Sequence, residues 1–316
     1  MQFVDKAAVE NTLAMDKCIE LMKETLVRYS RKEAVQKLRT AMRIDESCIL
    51  GIMPAADPGQ KTAGAKIITV IPQNFQKNLP SHQGVVVLFE TETGSLLAIV
   101  DGEAVTGIRT AAVSAAATDA LARRDSHVLC MLGSGLQARR HLEAIRLVRD
   151  IRQVRVWDVS KESSACYAKE MQALYGIPVL DCAYDVAEAV TGADIVCTVT
   201  AAKEPILFRE HISPGTHINA VGACTAVDRE LDSSLVQASR LFGDSVESVR
   251  NESGDFLIPL REGCIGEAHL LGEIGQVLSG NLKGRTSDSD ITVFEALGLA
   301  VEDLAASRYI MEKITG

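Results

Sequence analysis

The chain has 316 residues, 47% of them apolar, and a formal net charge of −9. That length allows one large or two ordinary domains around a real core, and the acidic balance speaks against a nucleic-acid partner, which needs a basic face. No apolar run reaches bilayer-spanning length, and the opening "MQFVDKAAVENTLAMDKC" lacks the apolar centre of a signal peptide, so a soluble cytoplasmic chain is expected.

In chain order, "DKAAVENTLAMDKCIELMKETLVRYSRKEA" reads as a helix with a break near Ala14–Met15. Strand-like stretches come next: "RTAMRID", "CILGIMP" and "AKIITVIP". "VVVLFE" and "LLAIVD", separated by "TETGS", predict a hairpin. Residues up to about 117 thus read as an α+β domain with an antiparallel or mixed sheet. The alanine-rich "GIRTAAVSAAATDALARR" is a helix bridging into a second, central domain.

In that central domain, strand and helix alternate: "HVLCML", "GLQARRHLEAIRLVR", "QVRVWD", "KESSACYAKEMQALYG" ending at Gly176, "IPVLDC", "DVAEAVTG", "ADIVCTVT", "THINAVG", "RELDSSLVQA" and "RLFGDS". Short apolar runs are ambiguous singly, but their regular alternation predicts a parallel sheet covered by helices on both faces. After the polar turn "KGRTSDSD", the segment "ITVFEALGLAVEDLAASRYIMEKI" reads as one long amphipathic helix returning to the first domain. The eight cysteines form no C-x-x-C pair and no close His/Cys cluster. They read as buried, reduced thiols, and no metal site is expected.

The most informative stretch is "LCMLGSGLQARRHLE", residues 129–143. A strand runs into G-x-G-x-x-A, with Gly133, Gly135 and Ala138, and a helix comes after it. In a dinucleotide fingerprint the first glycine permits the turn, the second admits the pyrophosphate, and the small third residue allows close packing. Ser134, Leu136 and Gln137 complete the loop, and the helix start offers free N–H groups to phosphate. The next strand ends at Asp158, in "VRVWDVSK", where a carboxylate accepts hydrogen bonds from the adenosine ribose and repels a 2′-phosphate. NAD(H) is therefore expected rather than NADP(H), with Lys161 the one nearby cation that would suit a phosphate. The alternatives are a tight turn that binds nothing and an Asp158 that serves only the helix after it.

Two long strings, "PSHQGVVVLFETETGSLLAIVDGEAVTGIRTAAVSAAATDAL" and "VLCMLGSGLQARRHLEAI", with "GIMPA", "AKIITV", "HINAVGA" and "TVFEALGLAVEDLAA", resemble the ornithine cyclodeaminase/mu-crystallin family over nearly the whole chain. The resemblance implies a Rossmann domain, 118–290, inserted in an α+β substrate-binding and dimerisation domain, 1–117 plus 291–316. It implies a substrate between the two, a homodimer, and hydride exchange between a nicotinamide and the α-carbon of a small amino acid or its imine. It assigns Arg39, Lys66 and Arg109 to the substrate carboxylate, and Thr110, Val221 and Gly222 to the cofactor side. Fixed cations are what an α-carboxylate needs for orientation. An internal salt bridge is the competing reading for Lys66 and Arg109, and Arg43 competes with Arg39. His82 is read equally as a substrate contact or a structural hydrogen bond.

The sequence also departs from the cyclodeaminase branch. That branch carries an aspartate where this chain has Cys224 and a glutamate where it has Gly51. Asp228 and Glu230 lie too far downstream to substitute without a shift. Cyclodeamination needs a proton shuttle at the α-amine. Reduction of a ready-formed imine is the simpler expectation, with Lys66 assisting as the catalytic proton group. The alternatives are ornithine cyclodeamination with recycled NAD, and a non-catalytic binding member.

Overall fold

The computed structural model describes residues 1–316 apart from Ser47 and Asn78. In chain order its elements are β1 (Gln2–Val4), α1 (Lys6–Thr12), α2 (Met15–Ser30), β2 (Val35–Gln36), β3 (Thr40–Arg43), β4 (Ile49–Asp57), β5 (Thr62–Val70), β6 (His82–Glu90), β7 (Leu96–Asp101) and α3 (Gly102–Leu121). Next come β8 (Val128–Leu132), α4 (Leu136–Ile145), β9 (Gln153–Trp157), α5 (Lys161–Tyr175), β10 (Val179–Asp181), α6 (Val186–Val190), β11 (Ile195–Thr198) and β12 (His217–Ala220). The chain finishes with α7 (Ser233–Gln237), β13 (Ser239–Gly243), α8 (Val246–Glu252), α9 (Gly254–Arg261), β14 (Leu270–Glu273), α10 (Ile274–Leu278), β15 (Ile291–Glu295) and α11 (Ala300–Thr315). Two compact units emerge, Met1–Thr110 with Gly298–Gly316, and Ala111–Leu297. The divisions differ from the expected 117/118 and 290/291: one falls inside α3 and the other lies just after β15.

In the first unit the sheet runs β1-β7-β6-β5-β4-β2, with β3 also on β4. β1 pairs parallel with β7 and the other pairings are antiparallel, so the sheet is mixed. One face is buried: Gly51, Met53 and Ala55 on β4, Lys66 on β5, Val86 and Leu88 on β6, Ala98 and Val100 on β7. The C-terminal helix α11 lies across β4, β5 and β6 on this side and packs on α2. Close packing shows at Gly64, where an added Cβ would approach Leu304 of α11 to 2.9 Å. The alternate residues, such as Ile52 (40% exposed) and Phe89 (37%), face away from that core. The period of two that marked these strands in the sequence is this division of faces.

In the second unit the sheet runs β10-β9-β8-β11-β12-β15-β13-β14 and every pairing is parallel. Alternation along β8 feeds two cores. Leu129 and Met131 pack with α4 and α5 residues such as Leu142 and Tyr167. Cys130 and Leu132 join a cluster on the other face with Val190 of α6, Leu235 of α7 and Phe256 of α9. Strand order reverses direction between β8 and β11, the switch point where nucleotides bind in open α/β sheets.

One expectation is corrected, and one unassigned segment gains elements. "ITVFE" does not begin the last helix: it is β15, fully buried between β12 and β13. A central parallel strand is apolar on both faces, so it reads like a buried helix start. The segment 246–282, to which the sequence reading assigns no element, holds α8, α9, β14 and α10. These are too short to show a period, and α9 contains Pro259. Among the described residues, no helix is long and apolar enough to cross a membrane, and no group of three His, Cys, Asp or Glu is placed to hold a metal ion.

Candidate functional site

The glycine loop of the second unit joins β8 to α4. Gly133 has φ +106°, and an added Cβ would lie 2.7 Å from the Val199 carbonyl oxygen. Conformation and space both demand glycine there. Gly135 is different: its φ is −76°, and a Cβ would meet nothing within 4 Å. The protein's own packing does not require this glycine, and a Cβ would fill open space over the loop, as expected where a pyrophosphate approaches the backbone. Ala138 is fully buried, so its small side chain serves the packing of helix on sheet.

Helix α4 begins without a side-chain cap, which leaves its first N–H groups to an anion. Ser134, just before it, donates from its N–H (2.9 Å) and its hydroxyl (2.6 Å) to Asp158 Oδ2. The Ser160 N–H donates to Asp158 Oδ1 at 2.9 Å. Asp158 thus staples the loop to the end of β9 while staying partly exposed. Leu136 is an exposed apolar residue at the start of α4, at 45%. Lys161 lies over the Tyr184 ring, 3.8 Å from its centroid. The Gln137 carbonyl accepts from His141 Nδ1 at 2.8 Å, and His141 Nε2 accepts from the Ser114 hydroxyl at 2.9 Å. Burial lowers the His141 pKa to about 4, so the ring is neutral and donates and accepts once each.

Two residues here carry no sequence signal of the role they play. Arg139 donates to the Ser134 and Gly135 carbonyls and pairs with Glu170 at 2.6 Å. Glu230, which in the sequence stands out only as an acid too far downstream of Cys224, is fully buried. It accepts from the Thr200 N–H and hydroxyl and from the Gly222 N–H, at 2.9, 2.6 and 2.8 Å. It ties together the chain leaving β11 and the chain leaving β12. The N–H groups of Val221 and Gly222 also donate to the Thr198 carbonyl. A Cβ at Gly222 would fall 2.2 Å from the Thr200 carbonyl oxygen, so packing alone fixes that glycine. The Cys224 thiol donates to the Val221 carbonyl at 3.4 Å.

The cations gather in the first unit. Lys66 points into the buried face from β5, opposite Met53 of β4 and Val86 of β6. Arg109, next to the buried Thr110 on α3, donates from Nη1 to Glu302 at 2.8 Å and from Nε to Asp303 at 3.0 Å. The same Asp303 oxygen lies 3.7 Å from Lys66 Nζ. Arg39 is half-buried and donates to the Gly298 carbonyl at 3.4 Å. Gly298 has φ +84°, and a Cβ there would come within 2.8 Å of the Arg109 guanidinium. Arg109 therefore has the internal salt bridges of the competing reading. The charges that act on Lys66 are those of Asp303, Arg109, Arg39 and Glu302.

Burial lowers the Lys66 pKa to about 8; Asp303 opposes the shift, and the charges of Arg109 and Arg39 add to it. His82 stands at the exposed start of β6, with Nδ1 2.9 Å from the Ser81 hydroxyl. Desolvation by surrounding protein, then the Lys66 charge, lowers its pKa, which keeps the ring neutral at neutral pH. Cys18 on α2 is held as a neutral thiol by burial. Arg43 lies on the exposed strand β3.

The sequence pattern of the ornithine cyclodeaminase/mu-crystallin family matches residues 1–316. The chain is 36% identical over 301 residues to Delta(1)-pyrroline-2-carboxylate reductase of Bacillus cereus (strain ZK / E33L), covering 95% of this chain and 92% of that one. It is 40% identical over 279 residues to the ketimine reductase mu-crystallin of Mus musculus, covering 88% and 85%. Among solved structures it is similar to Thermococcus litoralis Delta(1)-pyrroline-2-carboxylate reductase in complex with NADH and L-proline, with TM-score 0.96, 34% identity, and coverage of 99% of this chain and 97% of that one. Sequence and fold agree from end to end, and the chain belongs to the ornithine cyclodeaminase/mu-crystallin family.

Proposed function

We propose that the protein is an NAD(H)-dependent reductase of small cyclic imino acids, adding hydride to the α-carbon of an α-imino carboxylate to give the amino acid. The observation that carries this is the cation set around buried Lys66, with Arg109 sharing Asp303 with it and Arg39 close enough for its charge to act on it. Fixed cations of this kind suit a substrate carboxylate, which they would bind and orient. Arg109 and Arg39 offer planar forks for that carboxylate. Lys66, with a pKa near 8, is mostly charged at neutral pH yet able to give up its proton, which suits a group that keeps the imine nitrogen protonated. NADH, when bound, supplies the hydride. The fit of the second unit to it rests on the open space over Gly135, the uncapped start of α4, and Asp158 at the end of β9. The names of the two reductases and the NADH complex support the same reading.

The cyclodeaminase alternative finds no acid where it needs one. Gly51 lies on the Lys66 face of β4, and even a Cβ there would approach Ile68 Cγ2 to 3.2 Å. The test is purified protein with Δ1-pyrroline-2-carboxylate or its six-membered homologue and NADH. Loss of NADH matched mole for mole by proline or pipecolate is expected. Proline formed from L-ornithine in excess of the NAD⁺ supplied would replace the reading by cyclodeamination, and tight NADH binding without turnover on any imine would favour a binding member.

A homodimer belongs to the same proposal. The sheet face of the first unit that α11 leaves uncovered carries Ile52, Ile67, Val85, Val87, Phe89 and Ile99, none of them buried. A contiguous apolar face of this kind suits a second copy of the chain. A cytoplasmic location, where thiols stay reduced and NADH is at hand, suits the eight free cysteines.

A further inference from the structure

The two acids on α11 do not help bind an anion; their charge opposes it. Glu302 has a clear structural use, since one oxygen accepts from Arg109 and from the Leu299 N–H at the start of its own helix. Asp303 is different. Its Oδ1 faces two cations on two elements, Arg109 Nε at 3.0 Å and Lys66 Nζ at 3.7 Å. Its Oδ2 is buried with no hydrogen-bond partner, in a residue wholly shielded from solvent. Asp303 Oδ1 thus stands between the two cations, one on α3 and one on β5.

We propose that Asp303 is a positioning residue for Lys66: it holds the Lys66 ammonium charged in the site, and weakens the grip on the substrate carboxylate in doing so. The inference rests on the reading of Lys66 as the proton-holding group. The charged and titratable groups facing Lys66 are Arg109 from α3, Arg39 from the segment before β3, His82 from β6, and Glu302 and Asp303 from α11. The arginines and burial disfavour its charge; His82 is neutral; Asp303 is the larger of the two acidic influences that favour it. Without the Asp303 charge, Lys66 should lose its proton at lower pH, and below that midpoint the site holds one negative charge fewer and a carboxylate binds more tightly. Catalysis and binding then move in opposite directions, which loss of a merely structural residue would not produce.

The experiment tracks the lysine Cε resonances of the full-length protein by NMR across pH, with the Lys66 signal assigned by its absence in Lys66→Arg. It is joined to L-proline binding and to kcat and KM profiles on the imine. In Asp303→Asn the Lys66 midpoint is expected to fall by about one pH unit, a tenfold change in proton affinity. L-proline binds more tightly, and KM and kcat at pH near 8 both fall. Asp303→Glu is expected to restore kcat in part. An unmoved midpoint, or KM rising as kcat falls at every pH, overturns the proposal. A midpoint that moves while the kcat profile stays still leaves the Asp303 role standing and overturns the reading of Lys66 in the reaction. Should Asp303→Asn not fold, Asp303→Ser carries the test: it also removes the charge, and an unmoved Lys66 midpoint in it overturns the proposal.

Discussion

Gly133 and Gly135 sit two residues apart and do different work. Gly133 needs a positive φ and is in close approach to Val199. Gly133→Ala should destabilise the fold by ~1–3 kcal/mol and weaken NADH binding, seen as a lower Tm together with a higher Kd. Gly135 has ordinary φ and empty space around a would-be Cβ. Gly135→Val should leave stability within about 0.5 kcal/mol yet weaken NADH binding at least tenfold; a normal Kd in that variant would remove the pyrophosphate from the loop. Lys66 shows the reverse trade. Its folded pKa of about 8 is below the ordinary lysine value, so below that pH the fold carries the cost of a buried charge, and the cost fades as pH rises through about 8. Lys66→Met should therefore abolish turnover while raising stability at neutral pH by ~1–3 kcal/mol, with a smaller gain in alkaline buffer, as chemical denaturation will show.

At the scale of elements, three buried carboxyls link loops and strands of the second unit. Asp255, on α9, accepts from the Glu230 and Leu231 N–H groups at 2.9 and 2.7 Å. Glu230 ties the ends of β11 and β12, and Glu295 ends β15 and accepts from the Ser253 hydroxyl at 3.0 Å. Burial, and then the Glu230 charge, raises the Asp255 pKa to about 8; burial and Asp255 raise Glu295 well above its ordinary value. Acids raised in the fold hold more protons there than in the unfolded chain. The stability they contribute is complete in acid and is lost as pH rises through about 8. The stability of the wild-type protein should decline across that range, and Asp255→Asn, which keeps an acceptor for both N–H groups, should flatten the decline. A decline of equal slope in the variant would show that Asp255 is already ionised at neutral pH. This carboxyl group is not legible in the sequence, where Glu230 looks like a misplaced catalytic acid and β15 like the start of a helix. Its members come together only when β11, β12, β15 and α9 pack.

For the molecule as a whole, the uncovered sheet face of the first unit leads to a further prediction. Ile52→Glu places a charge at a 40% exposed position on that face, so it should leave the fold intact and convert a dimer to a monomer in light scattering at micromolar concentration. An unchanged mass would move the dimer contact elsewhere. The sequence alone determined what depends on near neighbours: the alternation of strand and helix, the β6–β7 hairpin, and the glycine loop with Asp158 about one βα unit later. Local spacing suffices there because turn geometry and side-chain period are local properties. Tertiary structure alone decided which charges meet. Arg109 finds its acids 193 and 194 residues away on α11, and no periodicity reaches that far. The protonation of Lys66, the meeting of Lys66 and Arg109 at Asp303, and the clamp of Glu230 all arise from burial and distance, which exist only once the sheets have formed and helix α11 has closed over β5.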